Sequence, residues 1–121
     1  MPTLSETELR RCIASGETNT CEFKIAVPRP TELAERLCGM ANTTQGGFII
    51  FGIEDMTLNI VGIPDTRMAL THDVILRAAR QIDPPLTLVP PEPEIYTLDE
   101  KQLVVATIPP NRGPLYQTSG V

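Results

Sequence analysis

The sequence predicts a single α+β domain with a mixed, mostly antiparallel sheet of about four to six strands and about three helices. Three observations predict it. The chain has 121 residues, enough to bury one core but not two. Apolar residues recur at helical spacing in three separate stretches. Between and after these stretches lie short segments that alternate or run apolar, as strands do.

Each element follows from local pattern. Ser5 and Glu8 have the spacing of a capping box, Leu9, Cys12 and Ile13 recur on one face, and Gly16 provides a stop; residues 5–15 read as a helix. From Thr20 to Ile25 the chain alternates, with Cys21, Phe23 and Ile25 on one side and Glu22 and Lys24 on the other. Pro28 and Pro30 interrupt, and Pro30 suits a helix entry. Leu33, Ala34, Leu37, Cys38 and Ala41 then form one stripe, which predicts a helix over 31–41 packed on the sheet. Asn42 to Gly47 reads as a turn. Phe48 to Ile53 is nearly all apolar, as expected of a central strand covered on both faces. Asn59 to Ile63 reads as its partner strand. Leu70, Val74, Ile75, Ala78 and Ile82 give a further helical stripe, with Asp73, Arg77, Arg80 and Gln81 outside it. Two extended segments follow, 86–97 and 101–108, with a turn at Leu98–Lys101. Pro90, Pro91 and Pro93 confine the first to an edge. The polar stretch 109–121 reads as irregular. Its abrupt finish fits equally a frayed end and a module belonging to a longer chain, so the single domain is assigned to 1–121 with both alternatives open.

Composition narrows the classes of function. With no Trp, two Tyr and three Phe, the core must be aliphatic. No apolar run approaches membrane-spanning length and no secretory leader is evident, which predicts a cytoplasmic protein without a membrane partner. The formal charge of −5 argues against a general nucleic-acid coat, which carries a basic surface, but leaves room for a local basic patch. Cys12, Cys21 and Cys38 show no metal-ligand spacing and read as small core residues in a reducing compartment. His72 stands alone, which favours a surface or capping role. Neither a phosphate-binding P-loop nor a nucleophile-elbow or zinc-protease motif occurs.

Two motifs stand out. The first is Glu17-Thr18-Asn19-Thr20-Cys21-Glu22-Phe23-Lys24. The second runs Ala41-Asn42-Thr43-Thr44-Gln45-Gly46-Gly47 and continues through Phe48–Ile53 to Glu54-Asp55. A helix of suitable length separates them, and Ile60-Val61-Gly62-Ile63 follows. In this order they resemble the Schlafen/Alba-like domain, well over Glu17–Pro64 and more loosely beyond. The resemblance implies a DNA-binding module of a bacterial transcriptional-regulator type. It also implies an alternative, because some Schlafen-type members cleave RNA with an acidic triad; the matching positions here are Glu17, Glu22 and Asp55.

The residues themselves support more than one reading. Lys24, Arg29 and Arg36 flank the Glu-Phe-Lys strand and are candidates for phosphate contact, together with Asn42 and the turn amides of Gly46 and Gly47. The glycines are equally explained as a helix-to-strand turn, and Asn42 as a helix-end cap. Glu17, Glu22 and Asp55 would serve as catalytic metal ligands if gathered, since oxygen ligands favour Mg²⁺ or Mn²⁺. Without that chemistry, Glu22 and Lys24 form a surface ion pair and no cofactor is expected. DNA or RNA is the expected partner. A third reading is a non-enzymatic interaction domain, with a homodimer formed through the proline-rich edge.

Overall fold

The structure is a computed structural model that describes residues 3–25 and 28–118. Its elements are α1 (Glu6–Ser15), β1 (Cys21–Lys24), α2 (Pro30–Ala41), β2 (Gly47–Phe51), α3 (Asp65–Arg80), β3 (Ile82–Asp83), β4 (Glu94–Leu98), β5 (Lys101–Ile108) and β6 (Gln117–Thr118). The main sheet has the order β1-β2-β5-β4, and β3 and β6 form a two-stranded sheet beside it. β1 pairs parallel with β2, while β2–β5 and β5–β4 are antiparallel. This is the mixed α+β arrangement that the sequence predicts.

Both faces of the sheet are buried. On one face α2 and α3 lay Leu33, Leu37, Val74, Ile75 and Ala78 against Ile49, Phe51, Val104, Ala106 and Ile108. On the other, Leu4, Leu9 and Ile13 cover Cys21, Phe23, Ile50, Leu103 and Val105. The doubly covered β2 explains the apolar run that marks it in the sequence. The helix starts follow local chemistry. Glu8 N–H donates to Ser5 Oγ at 3.1 Å and Ser5 N–H to Glu8 Oε1 at 2.9 Å, completing the capping box. In α2 the start is set by Pro30 in the first turn, and Glu32 there offsets the positive helix end. No helix among the described residues is long and apolar enough to cross a membrane.

Several expectations are corrected. Asn59–Ile63 is not a strand of the sheet. It makes one isolated bridge, Ile53 to Ile60, and the Val61 and Gly62 amides both donate to Gly52 O. Leu58 and Gly62 have positive φ (60° and 81°), which turns the chain out of an extended ladder. The antiparallel partner of β2 is β5 instead. The stripe on α3 holds at Val74, Ile75 and Ala78 but not at its start: Leu70 is 46 % exposed, and Thr71 is buried beside it with its hydroxyl donating to Arg67 O at 2.8 Å. Ile82 is buried but belongs to β3. Of the extended segment 86–97 only Glu94–Leu98 is strand; before it, Leu86 and Leu88 reach into the core from irregular chain. The stretch after Pro109 is not wholly irregular, since Gln117–Thr118 pairs with Ile82–Asp83. Residues 119–121 lie outside the described residues.

Candidate nucleic-acid interface

The residues singled out around the Glu-Phe-Lys strand meet where β1 and α2 form one edge of the domain. β1 is an outer strand of the sheet. Its alternation buries Cys21 and Phe23 on the α1 side and turns Glu22 and Lys24 toward α2. Their register partners, Ile49 and Phe51, lie beneath α2 in the core. Because β1 is last in the sheet, α2 covers this face only partly. A shallow groove remains, lined by Lys24, Pro28, Glu32, Leu33, Glu35 and Arg36. A second depression adjoins it through Glu35 and Arg36 and is lined by Glu22 with Thr18, Asn19, Gly39 and Thr43.

Charge in this groove is organised around Glu22. Lys24 Nζ lies 3.4 Å from Glu22 Oε2, and Arg36 Nε lies 3.5 Å from Oε1. The Glu22 side chain is only 15 % exposed, against 29 % for Lys24 and 62 % for Arg36. Glu22 Oε2 is fully buried and accepts no hydrogen bond from the described residues. Arg29, at the cap of α2, pairs instead with Glu32 at 3.0 Å and is largely exposed. Lys24 and Arg36 thus converge on one carboxylate, while Arg29 stands apart at the helix entrance.

The other candidate acids are placed differently. Glu17 Oε2 accepts from Phe23 N–H at 2.8 Å, satisfying an amide on the outer strand. Asp55 is exposed in the turn that follows β2. Among the described residues no group of three or more His, Cys, Asp or Glu side chains gathers closely enough to hold a metal ion. In this structure, then, Glu17, Glu22 and Asp55 do not converge on one metal centre.

Asn42, Gly46 and Gly47 have architectural surroundings. Asn42 Nδ2 donates to Tyr116 O at 3.0 Å and Asn42 Oδ1 accepts from Tyr116 N–H at 2.8 Å, clamping the chain just before β6. Gly46 N–H donates to Thr43 Oγ1. Both glycines are buried, with the backbone of Ile108 and Pro109 against Gly46 and that of Thr20 against Gly47. None of the three is among the residues that line the groove. Elsewhere Arg77 pairs with Asp73 and Arg10 with Glu6 and Asp99. Among the described residues Arg80 makes no ion pair on the exposed side of α3, and His72 is half-buried on the same helix.

The cysteines behave as core residues. All three are free; Cys21 and Cys38 are buried and Cys12 is partly so. Burial, with a smaller contribution from the neighbouring Cys12, pushes the Cys21 thiol up to about 12. A thiol raised above its unfolded value of about 8.5 stabilises the fold while protonated, and this contribution is lost as pH rises from there through the folded value. At pH 8 Cys21 is therefore expected to resist iodoacetamide in the native protein and to react after denaturation, with Cys12 modified first. Mass spectrometry of the alkylated peptides checks the order.

Glu32, Glu35, Thr18 and Asn19 line the groove but are not predicted as site residues. The one signal for the two acids was their outward position on the helical stripe, which ordinary solvated charge shares.

Comparison with known proteins adds the family context. The family described as "Schlafen, AlbA_2" matches residues 17–120. No curated protein matches the chain. Among solved structures, the DIP2311 protein from Corynebacterium diphtheriae is similar, with a TM-score of 0.58 at 19 % identity. The similarity covers 93 % of this chain and 23 % of that one, so this chain spans under a quarter of that protein. At that identity the likeness shows a shared fold.

Proposed function

The chain belongs to the Schlafen AlbA_2 family, and from that premise we propose that it is a nucleic-acid-binding module of regulator type that engages the phosphate backbone along the β1–α2 edge. The observation that carries this reading is the pair of cations over the groove. Arg36 approaches Glu22 through Nε at 3.5 Å, and among the described residues neither its terminal nitrogens nor Lys24 Nζ makes a hydrogen bond, so these donors remain available. A planar guanidinium with free ends suits bidentate contact to phosphate. Arg29 supplies a third cation at the entrance of α2, where the helix end also favours an anion. The overall charge of −5 keeps the contact local. It also predicts modest affinity, because much of the remaining surface repels the same ligand.

Fluorescence anisotropy with single- and double-stranded DNA and RNA tests the proposal. Binding is expected at low salt. For three neutralised phosphates on duplex DNA, log K against log salt should have a slope of about −2.7. The double substitution Lys24→Met/Arg36→Met should flatten that slope by roughly two-thirds and weaken binding to all sequences alike. Absence of binding at low salt both in the wild type and when Glu22 is neutralised, or binding indifferent to the double substitution, would remove the reading.

A further inference from the structure

We propose that Glu22 is an internal competitor of the phosphate backbone: its carboxylate holds Lys24 and Arg36 in the groove, and a polyanion binds by taking these two cations away from it. The inference rests on the nucleic-acid reading above and adds how that same site is regulated.

The geometry supports an exchange rather than a permanent ion pair. A buried, ionised carboxylate without hydrogen-bond donors is costly to keep. Glu22 Oε2 is such an atom: it is shielded from solvent and accepts no hydrogen bond from the described residues. What compensates the carboxylate is two cations, Lys24 Nζ at 3.4 Å from Oε2 and Arg36 Nε at 3.5 Å from Oε1. These separations exceed the roughly 2.7–2.9 Å of a strong charge-assisted hydrogen bond. The carboxylate is fixed, because it sits on a sheet strand with its side chain 15 % exposed. Its partners are freer. Lys24 has a flexible four-carbon stem, and Arg36 is 62 % exposed on the outer side of α2. When phosphate approaches, the cations can swing outward and the acid cannot follow.

This arrangement has a signature. Each phosphate contact made by Lys24 or Arg36 weakens a contact already made to Glu22, so the observed affinity is the difference between two attractions. Neutralising Glu22 removes the internal competitor. Glu35 lines the same groove, and among the described residues it makes no ion pair with either cation. It therefore serves as a control for general negative charge near the site.

The test is a set of binding curves at low salt for Glu22→Gln and Glu35→Gln, each placed on the wild type and on Lys24→Met/Arg36→Met, with both backgrounds measured alone. Glu22→Gln is expected to bind duplex DNA or single-stranded RNA about threefold to tenfold more tightly, with a steeper salt slope. On the Lys24→Met/Arg36→Met background the same substitution should change binding by less than about twofold, since no held cation remains to be released. Glu35→Gln should give a smaller gain that persists on both backgrounds. Circular dichroism and thermal melting of each variant verify folding. If Glu22→Gln does not fold, Glu22→Asp takes its place: the shorter carboxylate withdraws from both cations and should give a smaller gain of the same sign. Wild-type binding with no gain in the Glu22 variant, or a gain that survives loss of both cations, overturns the competitor role and leaves the binding module standing. If neither wild type nor Glu22→Gln binds, the binding module itself falls, and the competitor with it. Binding that appears only on neutralising Glu22 supports the competitor in its strongest form.

Discussion

Gly46→Ala is expected to destabilise the domain by about 3 kcal/mol or more, since among the described glycines it would bring a new methyl group closest to its neighbours. Gly46 has φ of +67°, a conformation that costs any other residue roughly 1–2 kcal/mol. Space adds to the strain. A Cβ at this position would lie 2.2 Å from Ile108 O and 2.7 Å from the carbonyl carbon of Pro109. Both obstacles are backbone at the end of β5, and Ile108 is locked in register against Gly47. Relief would require the α2–β2 connection and the end of β5 to separate. Gly39→Ala provides the contrast. Gly39 lies inside α2, and a Cβ there would meet nothing within 4 Å. That change should stabilise the domain by about 0.5–1 kcal/mol through helix propensity. Urea melts of the two variants, read at unchanged m, would test the pair. Equal midpoints would contradict the steric account.

Leu37→Ala is expected to cost about 2–5 kcal/mol. Leu37 is fully buried at the centre of the α2 stripe, in the cluster that includes Ile49, Phe51 and Ile75. Truncation removes the burial that presses α2 onto the sheet and leaves a cavity between two layers. The site should feel the same change. Arg36 is the adjacent residue of α2, and its distance to Glu22 depends on how firmly that helix is seated. Leu70→Ala is the comparison. Leu70 is 46 % exposed on α3, so its truncation should stay within about 0.5 kcal/mol. Chemical denaturation distinguishes the two. A large loss at Leu70 with little at Leu37 would mean that the α3 face is assigned wrongly.

The comparison between Leu37 and Leu70 also shows how much of the fold is legible in the sequence. The α2 stripe reads correctly because Leu33, Ala34, Leu37, Cys38 and Ala41 share a face with no polar competitor at those positions. On α3 the face is ambiguous. Thr71 and Leu70 are neighbours in sequence, and hydropathy favours the leucine. The fold buries the threonine because its hydroxyl can bond back to Arg67 O within the helix. The hairpin between β4 and β5 reads correctly as a turn. However, nothing local requires Asp99 and Glu100 to take positive φ; β4–β5 pairing demands a turn matched to the strand twist, and Arg10 steadies Asp99 from α1.

The site divides in the same way. Motif and spacing are enough to place Glu22 and Lys24 on one strand face and Arg36 outside the following helix, since strand and helix periods are local. The same local reading leaves Asn42 equally suited to a ligand and to a clamp. Its partner, Tyr116, is 74 residues away, and only folding brings the two backbone groups of that residue to its amide. Glu17 is similar: its carboxylate looks available in the sequence until the outer position of β1 leaves the Phe23 amide for it to satisfy.

By itself, then, the sequence determined the three helices, the central strand, the β4–β5 hairpin, the alternation of Cys21 and Phe23 against Glu22 and Lys24, the glycine turn, and membership of a family. Tertiary structure alone decided which strand β2 pairs with, that Thr71 rather than Leu70 is buried on α3, and that Lys24 and Arg36 both lean on Glu22. The physical reason is range. Periodicity, capping and turn chemistry act over a few residues and are written locally. Strand order and the meeting of charges from two elements are set by how whole layers pack, and a single carboxylate becomes the centre of a site only once a sheet and a helix have closed around it.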